Sequence, residues 1–196
     1  MSDFIVLGGY KIDTITDYFE HDGAVLCKEN SWRVEIIDTG EGTTTGGRLL
    51  AVEKLVSDQF MLTYGDGVSD VNLSELHRFH LQSETVATVT AVRPPARFGT
   101  IEFTNGIVTN FSEKDPQKVG WINGGFFCFS RRIFEFLGQG ETSLESEPMN
   151  RLVLEKQLKA YSHDGFWHPM DTLRDHKVLQ EEWLSGRAKW NYKALR

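Results

Sequence analysis

The chain has 196 residues, 40% hydrophobic, 12% aromatic and 25% charged, the make-up of an ordinary globular protein able to bury a sizeable core rather than of a disordered one. Its 21 Lys and Arg against 28 Asp and Glu give a net charge of -7, which works against extended binding to a nucleic-acid backbone but leaves room for a single phosphorylated metabolite. No apolar run approaches the roughly 18 residues of a membrane span, no basic-then-apolar leader opens the chain, and two cysteines, Cys27 and Cys128, form neither a disulfide framework nor a zinc spacing. The expected location is the cytoplasm, without nucleic-acid or membrane partners.

Phe4 to Leu7, bounded by Gly8-Gly9, reads as a short buried strand. Lys11 to Phe19 places Ile12, Ile15, Tyr18 and Phe19 at helical spacing, and Val34, Ile36 and Ile37 form a second strand. A polar, glycine-rich stretch from Glu41 to Arg48 predicts a loop before a helix over 49–55. Phe60 to Tyr64 is a strand ending in Gly65-Asp66-Gly67, a helix begins near Asn72 or Ser74, and Val86 to Val92 is a β-branched run of the kind covered on both faces. This alternation predicts an α/β fold with a doubly wound, mostly parallel sheet.

The pattern then changes. Two strand-like runs, 100–103 and 107–111, flank Thr104-Asn105-Gly106, a hairpin signal. Phe126 to Phe129 is a further strand, 131–137 a short helix, and Glu147-Pro148 opens a helix through Leu158, with Pro148 suited to its first turn. Ala160-Tyr161 is a short strand, and Thr172-x-x-Asp175 is a capping-box pattern for a helix reaching Ser185-Gly186. With no repeat or linker, residues 1–196 are expected to form one domain carrying a hairpin insertion.

Several segments can carry chemistry. Asp66, between two glycines at the C-terminal end of a buried strand, stands where doubly wound sheets bind ligands; Asp-Gly also simply turns a chain. Asp171, in Phe166-Trp167-His168-Pro169-Met170-Asp171-Thr172, either caps the following helix or supplies a second carboxylate. Together the two match Mg²⁺, which takes one or two carboxylates plus substrate phosphates. The stretch from Thr43 to Arg48 offers backbone N–H groups, hydroxyls and a guanidinium, yet lacks P-loop spacing and is equally a surface turn. Asn123, beside Gly124-Gly125, binds sugar hydroxyls or satisfies its own turn. Lys114 alone reads as a solvated surface charge, and His77 with His80 as part of a partly exposed amphipathic helix rather than half a metal site.

In order along the chain, Asp38-Thr39-Gly40-Glu41, Thr45-Gly46-Gly47-Arg48-Leu49, Thr63-Tyr64-Gly65-Asp66-Gly67-Val68-Ser69-Asp70, Pro94-Pro95-Ala96-Arg97-Phe98-Gly99, Glu113-Lys114, Trp121 to Phe127 and Gly165 to Asp175 closely resemble the glucose-1-phosphate cytidylyltransferase family. The resemblance implies a Rossmann-like nucleotidyltransferase fold and a Mg²⁺-dependent reaction in which CTP and α-D-glucose 1-phosphate give CDP-glucose and pyrophosphate, on routes to dideoxysugars of cell-surface polysaccharides. It implies that Asp66 and Asp171 are metal ligands, that Lys114 holds the sugar phosphate, that Gly99, Asn123 and Gly124 line the sugar pocket, and that Thr45, Gly47 and Arg48 face the nucleotide. It also implies a homo-oligomer.

Three departures from the family pattern stand out. The glycine-rich Gly-Gly-x-Gly-Thr-Arg-Leu segment that holds the CTP phosphates is not in this sequence, so the expectation is an N-terminally truncated relative, short of its first βα unit and impaired in stabilising the leaving pyrophosphate. A shortened relative of that kind is alternatively a non-catalytic sugar-phosphate binder that assembles with a full-length enzyme. The stretch from Phe19 to Trp32 is short, Asp115 separates Lys114 from Pro116, and His168 stands where a glutamine precedes the proline.

Overall fold

The computed structural model describes residues 2–95, 100–112, 120–138 and 142–191. In chain order the elements are β1 (Asp3–Gly8), α1 (Ile12–Glu20), α2 (Asp22–Asn30), β2 (Arg33–Asp38), α3 (Thr45–Ala51), β3 (Gln59–Thr63), β4 (Gly67–Ser69), α4 (Leu73–Ser83), β5 (Ala87–Val92), β6 (Thr100–Thr104), β7 (Ile107–Ser112), β8 (Ile122–Ser130), a 3-10 turn at Arg131–Glu135, α5 (Glu147–Leu154), β9 (Leu158–His163), β10 (Trp167–Pro169) and α6 (Leu173–Leu184). They fall into two units, Met1–Ser57 with Arg131–Glu155 and Asp58–Ser130 with Lys156–Arg196.

In the first unit β1 and β2 pair in parallel from Asp3↔Arg33 to Gly8↔Asp38. Parallel neighbours need a crossover, here α1 and α2. The helix α2 escapes sequence reading because its larger apolar residues, Val25 and Leu26, are exposed and mark no buried stripe. The helix α3 begins at Thr45, four residues before the expected start at Leu49, and Thr44 caps it by accepting from the Gly47 N–H. Gly46 and Gly47 read as loop residues, but packing decides otherwise. A Cβ on Gly46 would lie 2.2 Å from the Thr142 carbonyl oxygen, so glycine there is what lets the first turn of α3 dock on residues 142–144. The core of this unit is Leu49, Val52, Ile133, Phe136, Leu137, Leu144 and Leu152.

The second unit holds a four-stranded sheet in the order β3-β8-β5-β9. β8 is antiparallel to both β3 and β5, and β5 is parallel to β9, so three strands point one way and β8 runs against them. The expected mostly parallel α/β sheet is therefore present, mixed at one strand. Val86, Ala87, Val92, Phe127, Cys128 and Phe129 are buried in it. Phe127 and Phe129, two residues apart on one face, stack at 5.4 Å, and Phe60 packs against Phe129. The 147–158 helix expected from the sequence stops at Leu154, because Lys156 turns left-handed (φ 56°) and Leu158 starts β9. The β6–β7 hairpin forms as expected, with positive φ at Asn105 and Gly106, the conformation a two-residue primed turn requires. The capping box at Thr172 and Asp175 is present in both directions. No described helix is long and apolar enough to cross a membrane.

His80 is a core residue, 2% exposed. Its Nδ1 lies 2.9 Å from Thr88 Oγ1 on β5 and its Nε2 2.9 Å from Gln59 Oε1 on β3. A neutral ring satisfies both contacts, donating from Nε2 and accepting the Thr88 hydroxyl proton. Burial, followed by the charge of His77, holds its pKa below the ordinary 6.5.

Two outcomes follow for stability. The proton prefers the unfolded chain, so the His80 contribution is full above the ordinary histidine pKa and declines as pH falls below it; urea unfolding at pH 7.5 and 5.5 will show a steeper loss for the wild type than for His80→Gln. Gly46→Ala forces a methyl against the Thr142 carbonyl and is expected to cost about 1–3 kcal/mol by the same measurement.

Candidate active site

In the second unit the backbone brings two sequence-distant acidic residues to one end of a ribbon. β4 and β10 pair antiparallel, Trp167↔Ser69, His168↔Val68 and Pro169↔Gly67, and the ladder continues with the Met170 N–H donating to the Asp66 carbonyl at 2.7 Å. Asp66 and Asp171 thus lie at the same end of one ribbon, both exposed. Asp171 does not cap α6: the cap is Thr172, whose hydroxyl accepts from the Asp175 N–H at 3.1 Å while the Asp175 carboxylate accepts from the Thr172 N–H at 3.0 Å.

The same ribbon reaches the Asn123 segment. Trp167 Nε1 donates to the Gly124 carbonyl at 2.8 Å, and the Tyr64 N–H donates to the Gly125 carbonyl at 3.0 Å. A Cβ on Gly124 would sit 2.6 Å from Val92 Cγ1 and 3.0 Å from the Thr90 carbonyl oxygen, so this glycine lets β8 lie close on β5. Asn123 is exposed and its Oδ1 accepts from the Gly125 N–H at 2.9 Å. The turn-satisfying reading of Asn123 therefore holds for its oxygen. Gly99 and Lys114 lie outside the described residues.

In the first unit the Arg48 guanidinium, one of the candidates expected to face a nucleotide, lies at the C-terminal ends of β1 and β2, the side of a parallel sheet where ligands bind. The Gly8 carbonyl accepts from the Thr39 N–H at 3.0 Å, the Thr39 hydroxyl at 2.7 Å and Arg48 Nη1 at 2.5 Å. Arg48 also donates to Thr39 Oγ1 and to the Glu41 carbonyl. A Cβ on Gly9 would come within 2.4 Å of the Arg48 guanidinium, which explains the second glycine of the pair. The hydroxyl of Thr45 accepts from the Leu144 N–H at 2.9 Å and donates to Glu145 at 2.7 Å. It is therefore engaged by residues 144–145 rather than presented to a ligand. Gly47 donates its N–H to the Thr44 cap at 3.4 Å.

Cys128 offers no nucleophilic chemistry: it is fully buried, and desolvation pushes its thiol up to about 11. Among the described residues no cluster of three or more His, Cys, Asp or Glu is placed to hold a metal ion. Sequence reading missed Trp167, Asp70 and His163 as contributors to this region. Each lies inside or beside a motif, but its partner is tens of residues away, so spacing carries no sign of the contact.

No protein-family model matches the chain. It is 38% identical over 208 residues to the glucose-1-phosphate cytidylyltransferase of Salmonella typhimurium, covering 97% of this chain and 81% of that protein. It is 34% identical over 207 residues, with the same coverage, to the probable glucose-1-phosphate cytidylyltransferase of Bacillus subtilis. Among solved structures, HddC from Yersinia pseudotuberculosis superposes with a TM-score of 0.68 at 21% identity over 93% of this chain and 79% of that one. A UDP-glucose pyrophosphorylase complexed with UDP-glucose superposes with a TM-score of 0.65 at 14% identity over 95% of this chain and 82% of that one. The two structures speak to the fold; the identity to the two curated proteins, over nearly the whole chain, carries the relationship. The chain belongs to the glucose-1-phosphate cytidylyltransferase family.

Proposed function

We propose that the protein transfers CMP from CTP to α-D-glucose 1-phosphate, giving CDP-glucose and pyrophosphate. The observation that carries this reading is the β4–β10 pairing, which brings Asp66 and Asp171 to one end of a ribbon in a chain whose curated relatives bear that activity's name. Two exposed hard-oxygen donors fit Mg²⁺, which leaves its remaining positions to water and phosphate oxygens. When bound, the ion neutralises phosphate charge as the sugar phosphate oxygen displaces pyrophosphate from the α-phosphorus.

The rest of the work is positioning and charge. Lys114 supplies a cation for the sugar phosphate, and the Asn123 amide, its oxygen already bound to the Gly125 N–H, has Nδ2 hydrogens to offer sugar hydroxyls. Gly99 and Gly124 let the backbone come close to the sugar. Arg48 is held by the Gly8 carbonyl and Thr39, so it presents a fixed rather than a swinging cation to the nucleotide, at little ordering cost. Thr45 and Gly47 contribute through the turn they build rather than through a free hydroxyl. Phosphoryl transfer of this kind requires alignment and electrostatic stabilisation and no protein nucleophile.

Incubating the protein with glucose 1-phosphate, Mg²⁺ and CTP, UTP or dTTP, and following pyrophosphate release and nucleotide sugar by ion-exchange chromatography, tests the reading. CDP-glucose from CTP is expected, with Asp66→Asn and Asp171→Asn each lowering turnover roughly 100-fold or more and Lys114→Ala raising KM for the sugar phosphate. Absence of any CTP-dependent product overturns it, and product from UTP or dTTP alone reassigns the base.

A further inference from the structure

The ribbon that carries Asp66 and Asp171 has only three paired residues in each strand. A two-stranded ribbon of that length is at best marginal in water, so its geometry depends on what anchors it. At the end where the carboxylates stand, the ladder closes with the Met170 to Asp66 bond. On its flank, Trp167 Nε1 ties it to the Gly124 carbonyl of β8.

The opposite end is held by a side-chain network. Asp70 Oδ1 accepts from the Phe166 N–H at 2.7 Å and from His163 Nε2 at 2.9 Å. The Asp70 N–H and the Ser69 hydroxyl both donate to the Phe166 carbonyl, at 3.1 and 2.8 Å. His163 Nε2 also lies 3.3 Å from that carbonyl. Both of its partners are acceptors, so Nε2 carries a hydrogen whatever the charge of the ring. His163 is the last residue of β9, in register with Val92 of β5. The Asp70–His163 pair therefore fastens the ribbon to the edge strand of the four-stranded sheet. The His163 side chain is mostly covered, 13% exposed, and that of Asp70 less so, 28% exposed. Gly165 completes the arrangement: a Cβ there would come within 2.5 Å of both Asp70 Oδ1 and His163 Cε1.

We propose that Asp70 and His163 are positioning residues that set how Asp66 and Asp171 are presented to a divalent cation, by locking the far end of the β4–β10 ribbon to β9. The proposal rests on the reading of Asp66 and Asp171 as the metal-holding pair. Groups hydrogen-bonded directly to metal ligands change metal affinity or activity by roughly 10- to 100-fold when lost; Asp70 and His163 touch neither carboxylate and act through the ribbon, so the lower end of that range is the scale expected here.

The test uses the full chain with Asp70→Ala, Asp70→Asn, His163→Leu and His163→Gln. Asn at 70 keeps an acceptor and Gln at 163 keeps a donor, so these two are expected to stay within about 3-fold of wild type, while Asp70→Ala and His163→Leu lose about 10-fold or more. The readouts are Mn²⁺ binding by electron paramagnetic resonance with CDP-glucose present, the KM and kcat split, and hydrogen exchange at the Met170 amide. The proposal expects weaker Mn²⁺ binding, lower kcat with little change in KM for the sugar phosphate, and faster exchange at Met170 while β5 and β8 amides stay protected. A purely structural role would lower Tm and speed exchange across the whole sheet without that split. Should Asp70→Ala fail to fold, His163→Leu against His163→Gln decides the matter alone. Wild-type Mn²⁺ binding and Met170 exchange in His163→Leu overturn the positioning role. Wild-type Mn²⁺ binding in both Asp66→Asn and Asp171→Asn overturns the carboxylate reading itself, and the proposal with it; loss there beside unaffected His163→Leu overturns the positioning role only.

Discussion

The hydrogen bond from Met170 to the Asp66 carbonyl, with the three-residue ladder that leads to it, is the constraint on which the geometry of the β4–β10 ribbon depends. It joins backbone segments far apart in the sequence and brings Asp66 and Asp171 to the same end of one ribbon, which nothing local would do. Ordering so short a ribbon costs backbone entropy at every residue, and its own ladder cannot compensate. The compensation comes from outside: Trp167 on the Gly124 carbonyl, Asp70 with His163, and a stack of Phe166 with Trp190 at 5.2 Å. Each contact satisfies a polar group or buries an aromatic face, and each links the ribbon to a different segment of the unit.

The first unit solves a related problem with one carbonyl. The end of β1 would leave Gly8 O without a ladder partner, and instead it receives Thr39 twice and Arg48 once. Holding a guanidinium against a strand end demands that nothing project from the chain there, which is why Gly9 follows Gly8. The cation at the mouth of the β1–β2 pair is thus part of the backbone's own hydrogen-bond accounting.

Glycine carries much of this architecture through close approach rather than through turning. Gly46 sits against the Thr142 carbonyl, Gly124 against β5, and Gly165 against Asp70 and His163. In each case a methyl group would force backbone, or a hydrogen-bonded side chain, to move. The string Thr45-Gly46-Gly47-Arg48 looks like a ligand loop in sequence because glycine is usually read as freedom. Here all four of its members form the first turn of α3, and the Thr45 hydroxyl is taken by Leu144 and Glu145.

By itself the sequence determined the alternation of strands and helices, the Asn105-Gly106 hairpin, the capping box at Thr172 and, through seven ordered strings, the family. All of these are written in periodicity, in turn residues or in short motifs, and such signals act over a few residues. It also singled out Asp66 and Asp171, but left each with a local alternative. Tertiary structure gave the α6 cap to Thr172 and Asp175 and brought the backbone of Asp171 to the same end of a ribbon as Asp66. It decided as well that α2 forms without a buried stripe, that α3 starts at Thr45, that β8 runs against its neighbours, and that His80 is a satisfied core residue. None of these has a local signature, because each is settled by a partner distant along the chain, where burial, close packing and unpaired backbone groups outweigh local preference.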